Sequence, residues 1–175
     1  MRTIVAMLLL FTCAVVACDG DDDGGAPTRT TADAASPPAG GATSPPGDGL
    51  PIIDLRYDGG TLRVEVATAP DDRAQGLGER DALADDAGML FDLGESRVPG
   101  FWMKGMRFAI DMVWIGEDKT IAGVALDVQP QPGVADAELR RYSPDVPVRY
   151  VLEIKSGASL RLGLGAGERV EFELP

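Results

Sequence analysis

The sequence predicts a mainly β domain, an antiparallel sandwich or barrel carrying two short helices. Three observations predict it. Six to eight short stretches alternate apolar and polar residues with a period of two, as a half-buried strand requires. Turn residues rich in Gly, Asp and Pro separate these stretches. Helical segments are confined to two short runs, so the strand–helix–strand rhythm of a parallel sheet is missing.

The domain opens with a hairpin. Ile53, Leu55 and Tyr57 alternate with Asp54, Arg56 and Asp58, and Leu62, Val64 and Val66 alternate with Arg63 and Glu65. Asp58-Gly59-Gly60 between them is turn chemistry. A helix follows, with Thr68 as its expected cap and Pro70, Asp71 and Asp72 in its first turn, where carboxylates suit the positive end. Gly76 or Gly78 ends it. Gly88–Phe91 reads as a short strand.

The central stretch is Val98–Ile115. From Met106 to Trp114 every second residue is large and apolar, which predicts one long strand with a single buried face. It also carries two charges, Lys104 and Asp111, that such a strand does not need. Thr120–Val128 is the next strand. Gln129–Pro147 is a proline-rich loop too long for a simple connection, a length often tied to function. Val148, Tyr150, Leu152 and Ile154 then face one way and Arg149, Glu153 and Lys155 the other. Ser156–Gly163 forms a short helix, and Val170, Phe172 and Leu174 mark a last strand.

Upstream of the domain the composition changes twice. Residues 1–17 hold Arg2 and the apolar run Ile4–Ala17, shorter than the ~20 residues of a spanning helix but suited to a signal peptide. Val15-Val16-Ala17-Cys18 is similar to the bacterial lipobox, which implies acylation of Cys18 and anchoring to a membrane. Residues 18–50 are Gly, Pro, Ala, Ser, Thr and Asp, which cannot bury enough apolar surface to offset the entropy of ordering, so a disordered tether is expected. Asp19, Asp21 and Asp23 open like a calcium loop, but its twelfth position is Thr30, so no metal is expected. Residues 51–175 form the single domain. The chain is therefore expected outside the cytoplasm, anchored to a bacterial membrane and facing the periplasm or the outer surface.

Charge and residue usage exclude several functions. The chain carries −12, and residues 51–175 keep 22 acidic against 14 basic side chains. No basic stripe exists to track phosphates, so nucleic acid is not an expected partner. There is no histidine, and Cys13 leaves with the signal peptide. Cys-His and Ser-His catalysis and a His/Cys zinc site are excluded, and no cofactor is expected.

Read together, the motifs form an ordered set: Arg73-Ala74-Gln75-Gly76-Leu77, Arg80, Gly88-Met89-Leu90-Phe91, Phe101-Trp102-Met103-Lys104, Asp111-Met112 and Tyr150-Val151-Leu152-Glu153. This set resembles the domain of unknown function 192 family, small bacterial and archaeal domains often exported or membrane-anchored. The resemblance covers about Leu62–Phe172. It implies a mainly β, jelly-roll-like fold and no assigned activity. The family usually continues its Trp-Met-Lys run with Asn-Thr, where this chain has Gly105-Met106.

Four residues are candidate ligand contacts. Arg80 follows a glycine-rich turn, Trp102 offers an aromatic face, Lys104 suits an anion, and Asp111 interrupts an apolar strand. The plain alternative for Asp111 is a carboxylate held by backbone N–H groups or by Arg73 or Arg80. These residues suggest a non-enzymatic binding module for a small polar ligand or a glycan. Two other readings compete with it: an envelope protein partner docking on Gln129–Pro147, and a hydrolase built on Asp111 and Glu153.

Overall fold

The computed structural model describes residues 49–175; the expected signal peptide, Cys18 and nearly all of the tether lie outside them. The domain is mainly β, with six strands in one mostly antiparallel sheet and two short helices. β1 (Ile52–Tyr57) and β2 (Gly60–Ala67) form the expected hairpin, paired from Ile52↔Glu65 to Tyr57↔Gly60.

Helix α1 (Pro70–Gln75) follows, but its cap is Ala69 and not Thr68. Pro70 already fills the first turn, where a missing N–H costs nothing, so Thr68 stands one residue too early. Its carbonyl instead accepts from the Arg73 guanidinium. The chain then returns to form β3 (Ala87–Arg97), which runs parallel to β2 from Arg63↔Ala87 to Ala67↔Phe91. One strand–helix–strand crossover is thus present where none was expected.

The long central strand is corrected as well. Only β4 (Ile110–Ile115) is a strand, and all six of its residues are buried. Ahead of it the chain turns at Lys104-Gly105, with Gly105 at φ +69° and the Met106 N–H bonded to the Met103 carbonyl at 3.3 Å. Arg107 is drawn to Glu79 and Asp81 in the loop after α1, at 3.0 and 2.6 Å, and does not join a ladder. β5 (Ile121–Val128) and β6 (Val148–Lys155) complete the sheet in the order β1-β2-β3-β6-β4-β5. Between β5 and β6 lies the long loop, with one 3-10 turn at Asp136–Glu138. Helix α2 (Ala158–Leu162) follows β6.

β6 and β4 are neighbouring interior strands of the sheet, and both of their faces are covered. One face packs Leu55, Val64, Leu90, Val113, Leu152 and Ile154 against α2 and the C-terminal Val170 and Phe172. The other packs Ala67, Met89, Phe91, Met112, Trp114 and Val151 under Leu77 and Met103. Burial on both sides is why Glu153, on the strand face opposite Leu152 and Ile154, is only 4% exposed. The expected last strand is reduced to isolated bridges, Arg56↔Glu171 and Thr120↔Arg169, and the sheet is not closed. Among the described residues no helix is long and apolar enough to cross a membrane.

Candidate ligand-binding cleft

The second face is incompletely covered. Between α1, β3 and the Val98–Met106 segment a cleft of about 410 Å³ opens down to β6, within the usual range for small-molecule sites. Its floor carries Phe91 and Glu153, its walls Phe101 and Trp102, and its mouth Arg73, Arg97 and Lys104.

Two glycines shape this opening. Gly76 caps α1 at φ +52°, and a Cβ there would meet Phe91 Cζ at 3.3 Å and Glu153 Oε2 at 3.9 Å. At Gly78 a Cβ would fall 2.9 Å from the Gln75 carbonyl oxygen and 3.1 Å from that of Lys104. The turn after α1 therefore lies against the Lys104 backbone, and the Glu79 N–H donates to the Gly105 carbonyl at 2.9 Å. Leu77, 1% exposed, pins the turn to the core.

The aromatic wall is a chain of edge-to-face rings. Phe91 meets Phe101 at 5.1 Å and Phe101 meets Trp114 at 5.8 Å between centroids, the geometry that ring quadrupoles favour. The long Gln129–Pro147 loop braces this wall from outside. Phe101 and Tyr142 exchange backbone hydrogen bonds at 2.9 and 2.8 Å, Asp136 pairs with Lys104 at 2.6 Å, and the Arg141 guanidinium lies 3.4 Å from the Trp102 ring centre.

Glu153 sits at the bottom. Among the described residues no hydrogen bond reaches its carboxyl, and burial raises its pKa from 4.5 to about 8, opposed in part by the positive charge of Arg80. At neutral pH it is therefore a carboxylic acid, able to donate a hydrogen bond into the cleft. Behind it, Arg80 grips Glu65 with two bonds of 2.5 and 2.8 Å. Register explains the arrangement, since Glu65↔Met89 and Met89↔Glu153 put both carboxyls on one face, two strands apart.

Of the four residues singled out from sequence, Trp102 and Lys104 line the cleft. Arg80 is not exposed: its side chain is 15% accessible and is occupied by Glu65 beneath the floor. Asp111 is on the opposite face and fully buried. One of its oxygens accepts from the Asp127 N–H at 2.9 Å, and the other from the Ser159 N–H and hydroxyl at 3.0 and 2.6 Å. Asp111 pairs with Ile154 and Met112 with Glu153, so the Asp111 and Glu153 side chains point to opposite sides of the sheet. The two cannot act on one substrate. Among the described residues no cluster of His, Cys, Asp and Glu could hold a metal.

Arg73, Arg97 and Phe91 were missed as site residues, and Glu153 was raised only as a catalytic partner of Asp111. The signal for Glu153 was present, because it is the one acidic residue between Tyr150 and Ile154 in an otherwise apolar strand.

The profile of DUF192, described as an uncharacterized ACR, matches residues 53–172. The chain belongs to this family. Two solved structures are similar to it. A crystal structure from Sinorhizobium meliloti 1021, provisionally described as a transcription regulator, is 36% identical, with TM-score 0.60 over 69% of this chain and 92% of that one. A protein of unknown function from Novosphingobium aromaticivorans DSM 12444 is 29% identical, with TM-score 0.63 over 83% of this chain and 99% of that one. No curated protein matches.

Proposed function

We propose that this DUF192 protein is a membrane-anchored extracytoplasmic lipoprotein whose domain binds a small polar ligand or a glycan in the α1–β3 cleft. One observation carries the binding reading: Glu153 is buried, turned into an open cleft and without a protein partner. A carboxyl at the floor of a cleft with no protein donor has its oxygens open to the cleft, where a ligand group can pair with it. Trp102 and Phe101 supply aromatic surface, and Lys104, joined to Asp136 by an exposed pair, is readily released to a ligand.

Anchoring is supported by the apolar run that stops at Val15-Val16-Ala17-Cys18 and by the polar segment that follows. A jelly-roll-like fold is supported by the C-terminal segment, which touches both edges of the sheet through Arg56 and Thr120. A role in transcription, the description given to the Sinorhizobium protein, is not adopted, because the sequence lacks the basic stripe that nucleic-acid phosphates require.

Two measurements test the reading. Cells fed a labelled fatty acid should label the chain and lose that label in Cys18→Ala; labelling that survives the substitution removes the anchor. Amide NMR shifts against a panel of sugars and peptidoglycan fragments should cluster at Phe91, Phe101, Trp102 and Glu153. A well-folded domain that stays silent across the panel removes the binding reading.

A further inference from the structure

Resting on that cleft as a binding site, we infer that its ligand is a small ring compound bearing an anionic group, a carboxylate or a phosphate monoester. The domain is acidic overall, yet the charged residues lining the cleft are Arg73, Arg97, Lys104 and Glu153. Three are cations, and the fourth is uncharged at neutral pH. The cleft is thus a positive site in a negative protein.

Lys104 is shared with Asp136, but the two arginines are not cancelled from within. The Arg73 guanidinium donates to two backbone carbonyls, Thr68 and Asp92, which position it without neutralising it. Among the described residues neither Arg73 nor Arg97 has a carboxylate in ion-pair range. The positive charge nearest the floor, Arg80, is matched by Glu65, so the pair adds no net charge beneath Glu153. Low-dielectric walls strengthen what remains, since a charge in a cleft is screened less than one on an open surface.

The ring half of the inference rests on the aromatic wall: Phe91, Phe101 and Trp102 all line the cleft. Gly76 lets the turn after α1 lie directly against Phe91, where a Cβ would come within 3.3 Å, and the Phe91–Phe101 pair is edge to face. A sugar-sized ring can lay its apolar face on this wall. A ring hydroxyl or carbonyl would accept from the Glu153 acid while the anionic substituent points to Arg73 and Arg97 at the mouth. Polar contact at the floor and opposite charge at the rim fix the ligand in one orientation.

The test uses the full chain in neutral detergent and four probes built on one sugar ring: glucuronate, glucose 6-phosphate, glucose and glucosamine. Affinity for at least one acidic probe should exceed that for glucose by tenfold or more and fall as salt is raised; which acidic probe wins tells carboxylate from phosphate. Arg97→Gln lies at the exposed mouth and spares the core, so the unfolding midpoint should hold while this preference falls about tenfold. Trp102→Ala should weaken every probe together, because it removes part of the aromatic wall. Glucose or glucosamine binding in the cleft as tightly as both acidic probes would overturn the anion while leaving the binding site intact. Silence from all four probes would remove the binding site and this inference with it.

Discussion

Asp111 and Glu153 lie on neighbouring central strands of one sheet, both buried, and their surroundings differ in every respect that matters to a carboxyl group. Asp111 faces the side closed by α2 and receives three donors, from Asp127 and Ser159. Glu153 faces the side closed only in part by α1 and the Val98–Met106 segment, and receives none. A buried carboxylate with a full set of donors ties elements together, and here it holds the start of α2 and the end of β5 to β4. The same group without donors is pushed toward its neutral form and becomes a handle for something outside the protein. What separates the two is donor supply at a nearly equal depth.

The most severe way to break this contrast is to empty the satisfied site. Asp111→Ala leaves the Asp127 N–H, the Ser159 N–H and the Ser159 hydroxyl buried without an acceptor, and should cost about 3–5 kcal/mol in urea unfolding. A cost below ~1 kcal/mol would mean that those bonds do not secure α2.

Next comes the pair beneath the cleft. Arg80→Met strands Glu65 as a lone buried charge and should cost about 3 kcal/mol, while adding Glu65→Leu should return most of it. If the double variant is no better than the single one, Arg80 acts through packing and not through its charge.

Glu153→Gln sharpens the contrast without emptying the site. The folded pKa of Glu153, about 8, lies above its ordinary value of 4.5, so between these values the folded state holds more protons than the unfolded one. This group therefore makes stability fall as pH rises from about 4.5 to about 8, with no further loss beyond. Removing it should flatten that part of the stability–pH curve and leave the variant more stable than the parent at pH near 9, by a few kcal/mol at most. An unchanged curve would show that Glu153 ionises freely in the folded protein.

The smallest effect belongs to neither face. Arg107 reaches Asp81 and Glu79 in water, and those pairs raise its pKa, but exposed pairs contribute little. Arg107→Ala should leave the unfolding midpoint unchanged; a clear drop would show that its tether sets where β4 begins.

Much of the fold was legible in the residues. Alternation identified the hairpin and β6, the strand after the central stretch was expected where β5 lies, and glycines marked both ends of the turn after α1. Alternation misled between Met106 and Ile110, where a period of two coincided with apolar residues packing under a turn. The site was legible in part, since Trp102 and Lys104 follow from residue type. Arg80 and Asp111 looked equally polar, and nothing local distinguishes a side chain satisfied by a distant partner from one left open.

By itself the sequence determined the β class, the acidic charge, the absence of histidine chemistry and the family, because composition, period and ordered motifs are local properties of a chain. Only the tertiary structure decided that β2 and β3 run parallel, that β4 and β6 are buried on both faces, and that Asp111 and Glu153 point opposite ways. Those facts depend on strand order and register. A one-residue slip in register turns a side chain to the other face of the sheet, and pairing between distant strands is what fixes that choice.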